Sequence, residues 1–89
     1  MKLYKSGRIA YSRYEVMRMP EIRPGLYRHY KGNDYRVLFL ARHSETEEWM
    51  VVYQALYGER GLWVRPASMW NETVESDGQR IPRFRYVGE

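Results

Sequence analysis

Two Arg-His dipeptides, Arg28-His29 and Arg42-His43, hold the residue types best suited to chemistry in this chain. Histidine exchanges protons near neutral pH, and a neighbouring arginine can hold an anion. The second copy continues as His43-Ser44-Glu45, the residue types of nucleophilic catalysis. Adjacent residues on an extended chain point apart, so these three form no relay by contiguity. His43 would act as a general base only in a pocket that brought it groups from another strand, with Arg42 or Glu45 assisting. The plainer expectation is structural. Ser44 starts a turn, His43 caps the loop, and Arg42–Glu45 or His43–Glu47 contacts cross it. With no cysteine in the chain, zinc would need both histidines plus carboxylates. No metal or cofactor is expected.

These residues depend on a hairpin to position them. Strands over 26–31 and 34–43 flank Gly32-Asn33, a recognised two-residue turn signal. That turn sets Tyr30 opposite Tyr35, His29 opposite Arg36 and Arg28 opposite Val37. His29 then shares a face with Tyr27, Arg36 and Leu40, while His43 lies on the opposite face with Arg28 and Val37. The two histidines form no common site unless a bulge intervenes.

A third block, Gly58-Glu59-Arg60-Gly61-Leu62-Trp63-Val64-Arg65-Pro66, reads as a turn followed by a strand. The glycines suit positive φ. They precede a strand rather than a helix, so this is no phosphate loop. Alternation puts Leu62 and Val64 on one face, expected inward, and Trp63 and Arg65 on the other, expected as a cation–aromatic pair at the surface. Tyr27, Tyr30, Tyr35, Trp49, Tyr53, Tyr57, Trp63 and Trp70 could line a groove in which bases or a proline-rich peptide stack. A cysteine-free domain this small needs most of these rings inside, and Tyr27 and Trp63 are the ones expected at the surface.

The remaining elements follow from punctuation. Pro20 and Pro24-Gly25 set off an N-terminal extension, 1–24, whose pattern fits helix or strand and shows no clear cap. A single small β domain spans 25–89. Its most apolar strand is Trp49–Tyr57. Another covers Leu62–Arg65, and Ala67–Trp70 forms one helical turn. The last hairpin, 72–75 with 80–86, turns at Asp77-Gly78. This turn sets Glu75 opposite Arg80, Val74 opposite Ile81 and Glu72 opposite Arg83, so one register yields two ion pairs and a β-branched pair. Five to six short strands imply a mainly β fold, either a small, strongly bent antiparallel sheet or an SH3-like or Sm-like barrel.

Eighty-nine residues bound the chain to one domain. The expected setting is soluble and cytoplasmic, with no apolar run of membrane-spanning length. The net charge of +4 is uneven: residues 1–36 hold nine Lys/Arg against three Asp/Glu, and residues 37–89 hold six against eight. The first part therefore suits an anionic partner.

Five blocks resemble a known family: Gly25-Leu26-Tyr27-Arg28-His29-Tyr30-Lys31-Gly32, Ala41-Arg42-His43-Ser44-Glu45-Thr46, Val51-Val52-Tyr53-Gln54-Ala55-Leu56-Tyr57, Gly61-Leu62-Trp63-Val64-Arg65-Pro66 and Pro82-Arg83-Phe84-Arg85-Tyr86. Residues 25–87 resemble the small bacterial domain of unknown function numbered sixteen fifty-three. The resemblance implies a stand-alone bacterial or phage-type domain and supplies no activity or site residue. The residues themselves favour a non-enzymatic binding module. Tyr27, Arg28, His29, Arg36, Arg42, His43, Ser44, Glu45, Trp63 and Arg65 are its candidate contacts. The expected ligand is nucleic acid, or else an acidic or extended peptide. The alternatives are an enzyme using His43 and a self-associating scaffold of Sm-like type.

Overall fold

The computed structural model describes residues 3–6 and 9–89, with side chains from residue 9 onward. Strands β1 (Leu3–Ser6) and β2 (Ile9–Ser12) pair as a hairpin, and helix α1 (Arg13–Arg18) follows directly. Ser12 caps α1 in a reciprocal box: its hydroxyl accepts from the Glu15 amide, and the Glu15 carboxylate accepts from the Ser12 amide. Over its described residues the extension therefore runs strand and then helix, and the cap not evident in the sequence pattern is Ser12-Arg13-Tyr14-Glu15.

The body is a five-stranded antiparallel sheet. It contains β3 (Gly25–His29), β4 (Asp34–Arg42), β5 (Trp49–Ala55) and β6 (Leu62–Pro66). After the short helix α2 (Ala67–Trp70) and the hairpin β7 (Thr73–Ser76)–β8 (Gln79–Pro82), β9 (Phe84–Gly88) joins the sheet beside β3. The order is β6-β5-β4-β3-β9. The sheet bends but does not close: β6 and β9 are its two edges, so the barrel alternative gives way to the bent sheet.

The final hairpin has the expected register, with Ser76 opposite Gln79, Glu75 opposite Arg80 and Val74 opposite Ile81. Asp77 and Gly78 both have positive φ, 51° and 77°, as a two-residue primed turn requires. Beyond Pro82 the chain leaves this pairing. Arg83 keeps only a backbone bond to Glu72, and β9 pairs with β3 instead.

The first hairpin differs from expectation. Tyr27 lies opposite Tyr35 and Arg28 opposite Asp34. The loop is Tyr30-Lys31-Gly32, closed by His29 N–H on the Asn33 carbonyl and Gly32 N–H on the His29 carbonyl. Gly32, at φ 107°, supplies the positive-φ residue of a three-residue loop rather than half of a two-residue turn. The displacement is odd, so faces exchange. A bulge between Val37 and Phe39 exchanges them again along β4, leaving Val37 and Leu40 both buried.

The covered face holds the core: Ile22, Tyr27, Val37, Leu40, Val51, Ala67, Trp70 and Phe84. Trp70 is wholly buried. Its ring stacks on Phe84 at 3.9 Å, and Tyr27 and Tyr53 meet it edge-on. Helix α2 thus plugs the concave side with one large aromatic anchor. Gly25 permits the closest backbone approach in this region. Its φ is 137°, and a Cβ there would stand 2.6 Å from the Gly88 carbonyl oxygen. No helix among the described residues is long and apolar enough to cross a membrane.

Candidate functional site

The expected contact residues scatter. Tyr27 is core, 6% exposed, with its hydroxyl donating to the Arg23 carbonyl at 2.8 Å. Its expected surface role is corrected by the hairpin register, which turns it inward. Burial pushes its phenol up in pKa, against the lowering effect of the Arg23 charge. Arg28 is held by Asp34 through two hydrogen bonds, 2.8 and 3.3 Å. This fork holds the Asp34 carboxyl below its ordinary range.

His29 projects onto the covered face among aromatic rings. Tyr30 lies at 4.6 Å, Phe84 at 5.0 Å and Tyr35 at 6.3 Å between ring centroids. Its Nδ1 accepts from the Lys31 amide at 3.1 Å. Desolvation, then the charges of Arg83, Lys31 and Arg65, push its pKa below the ordinary value. Beside it the Tyr35 and Tyr57 hydroxyls share a hydrogen bond of 2.7 Å. Burial and that bond raise the Tyr35 pKa to about 12.

His43 organises its loop. Its Nδ1 accepts from the amides of Glu45, at 3.1 Å, and Thr46, at 3.3 Å. Its backbone closes the loop against Glu47 and Glu48. Ser44 and Glu45 are exposed at the tip. Arg42 pairs with Glu47 at 3.8 Å, not with Glu45. With Nδ1 committed to two amides, the general-base role for His43 loses its premise.

On β6 the expected faces are exchanged. Trp63 lies opposite Tyr53 and Arg65 opposite Val51, on the covered face. Leu62 and Val64 point to the other face and are 66% and 61% exposed. Trp63 is exposed as expected, at 59%, because β6 is an edge. Arg65 turns inward to the Met69 carbonyl and to Glu72, 3.8 Å away.

A concavity of about 640 Å³ has neither histidine in its lining. It lies where β2 and the chain entering β3 meet β4 and the end of β9. Ile9, Pro24, Leu38, Phe39 and Tyr86 give it apolar walls, and Arg23, Arg36 and Glu89 are its charged groups. The Arg23 guanidinium lies 3.9 Å from the centre of the Tyr86 ring. Among the described residues neither Arg23 nor Arg36 has a carboxylate within ion-pair distance, whereas Arg28, Arg42 and Arg65 all do. Of the ten expected contacts only Arg36 reaches this groove. Arg23 was missed because its place depends on the path of the extension. No group of three His, Asp or Glu able to hold a metal occurs among the described residues.

The fold and groove define a small, open-sheet β domain against which β2 of the N-terminal extension is laid. Residues 25–86 match the family described as a protein of unknown function, DUF1653, and the chain belongs to that family. The crystal structure of a DUF1653 protein from Bordetella bronchiseptica is similar to this chain, with 50% identity and a TM-score of 0.71, covering 76% of this chain and 90% of that one. No curated protein matches. The family match begins at Gly25, so β1, β2 and α1 lie ahead of it, and Ile9 of β2 with Arg23 and Pro24 supplies one wall of the groove.

Proposed function

We propose that this protein is a non-enzymatic binding module for an anionic, extended ligand, and that single-stranded nucleic acid is the ligand class. One observation carries the reading: Arg23 and Arg36 stand beside an apolar groove with no carboxylate partner among the described ion pairs. A cation already paired gains little by meeting a phosphate, because it must first give up its partner. An unpaired one gains the full contact. The groove's apolar walls suit base faces, and the two guanidiniums suit the phosphates between them. Arg23 already stacks on Tyr86, so its fork is held in place before a ligand arrives.

A labelled single-stranded oligonucleotide titrated by fluorescence anisotropy tests the reading. Affinity is expected to fall steeply as salt rises. Absence of binding at low salt rejects it, and binding of an acidic peptide in its place would move the ligand class to protein.

A further inference from the structure

Strand β6 is an edge whose backbone and side chains are both unspent. Across β5 and β6 the Ala55 amide bonds the Gly61 carbonyl, and the register continues through Tyr53 opposite Trp63 and Val51 opposite Arg65. Hydrogen-bonded pairs alternate along an antiparallel ladder. Gly61, Trp63 and Arg65 therefore spend their backbone groups on β5, while Leu62 and Val64 turn theirs to the open edge and the Pro66 carbonyl opens α2 as its N-cap. The outward donors are the Leu62 and Val64 amides, since Pro66 has none. The side chains of Leu62, Trp63 and Val64 are 66%, 59% and 61% exposed. Edge strands are ordinarily blunted by charge, bulge or brevity. The opposite edge fits that rule: β9 carries exposed Arg85, and its register against β3 is broken between Leu26 and Tyr27. β6 presents three consecutive apolar residues instead.

We propose that β6 pairs antiparallel with β6 of a second copy of this chain, about a twofold axis at Val64. In that register Val64 faces Val64, Leu62 faces Pro66, and Trp63 faces Arg65. The Val64 amides bond the opposing Val64 carbonyls, and each Leu62 amide reaches a Pro66 carbonyl through the lone pair left beside its bond within α2. Both outward donors of each copy are satisfied, and proline falls where no donor is needed. On one face Leu62 and Val64 of the two copies form a continuous apolar stripe. On the other, each Trp63 lies over the aliphatic stem of the opposing Arg65, whose guanidinium stays on the Met69 carbonyl and Glu72. The sequence is thus complementary to itself in one register, and such an isologous contact closes at two copies. Pairing of β6 with β9 would not close.

Light-scattering mass of the full chain over a concentration series tests this. The mass is expected to rise from 10.8 kDa towards twice that value and to level off there. Val64→Lys places two like charges at the axis, and it should hold the mass at one chain with an unchanged circular dichroism spectrum. Leu62→Lys is the second variant should Val64→Lys fail to fold. Val87→Lys on β9 should leave the wild-type curve as it is. A mass fixed at one chain at every concentration, a mass rising past two copies without levelling, or a curve that responds to Val87→Lys and not to the β6 variants overturns the proposal.

Discussion

The Tyr11 hydroxyl satisfies both backbone groups of Leu40, donating to its carbonyl at 2.7 Å and accepting from its amide at 2.9 Å. The need arises from strand length. β3 pairs with β4 only as far as Val37, so the rest of β4 has one edge without a strand beside it. Tyr11, 4% exposed and edge-on to Trp49 at 6.3 Å, fills that gap from β2. One phenol does there what a neighbouring strand does elsewhere. The same contact fixes the extension against the sheet and so shapes the groove that holds Arg23 and Arg36.

Tyr11→Phe keeps the ring and removes the hydroxyl. It leaves the Leu40 amide and carbonyl without their partner, at a cost of about 1–3 kcal/mol. Denaturant unfolding should show that loss, and hydrogen exchange should speed up at the Leu40 amide. Unchanged stability would mean that water replaces the phenol and that the extension is not held this way.

His29 makes the fold sensitive to mild acid. Desolvation first, then the Arg83, Lys31 and Arg65 charges, depress its pKa below the ordinary 6.5. Above that value it is neutral whether folded or unfolded, and stability is full. As pH falls the unfolded chain takes up the proton first, and stability declines until the folded value is passed. Protonation at Nδ1 also ends its acceptance from the Lys31 amide. Stability measured between neutral and mildly acidic pH should fall more for the wild type than for His29→Gln. Parallel curves would contradict this.

His43→Ala should separate loop architecture from ligand contact. The variant loses the acceptor for the Glu45 and Thr46 amides. In an exposed loop this costs about 1 kcal/mol of stability. Oligonucleotide affinity should be unchanged, because His43 lies outside the groove. A large loss of affinity with intact stability would return His43 to the site.

Much of this fold is legible in the sequence where independent signals coincide. Around Asp77-Gly78 the turn residues, the Glu75–Arg80 charges and the Val74–Ile81 pair all choose one register, and the structure has it. The helical turn Ala67–Trp70 and the strand starting at Leu62 are also where punctuation places them. Gly32-Asn33 offered a turn signal with no cross-strand check. The Arg28–Asp34 charge pair favours the register the structure has. Charged neighbours along the strand point to an exposed Tyr27, whereas the true register sets it beside Tyr35 and Val37 on the covered face. The bulge at Leu38 leaves no trace in residue type. On β6 the alternation of Leu62 and Val64 with Trp63 and Arg65 separates two faces, but only the strand's place at the edge explains why three of the four are exposed. The groove was least legible, because it lies between β2 and the family domain and depends on contacts made by the extension.

The groove reading rests on Arg36 as a cation free for a phosphate, and Arg28 is its internal control, since Asp34 already holds it. The decisive measurement is the salt dependence of single-stranded oligonucleotide affinity for the wild type, Arg36→Ala and Arg28→Ala. The account predicts weaker binding and a slope of log K against log salt shallower by about one for Arg36→Ala, with Arg28→Ala close to wild type. Equal affinities and slopes for wild type and Arg36→Ala, or no binding by the wild type at low salt, would contradict it.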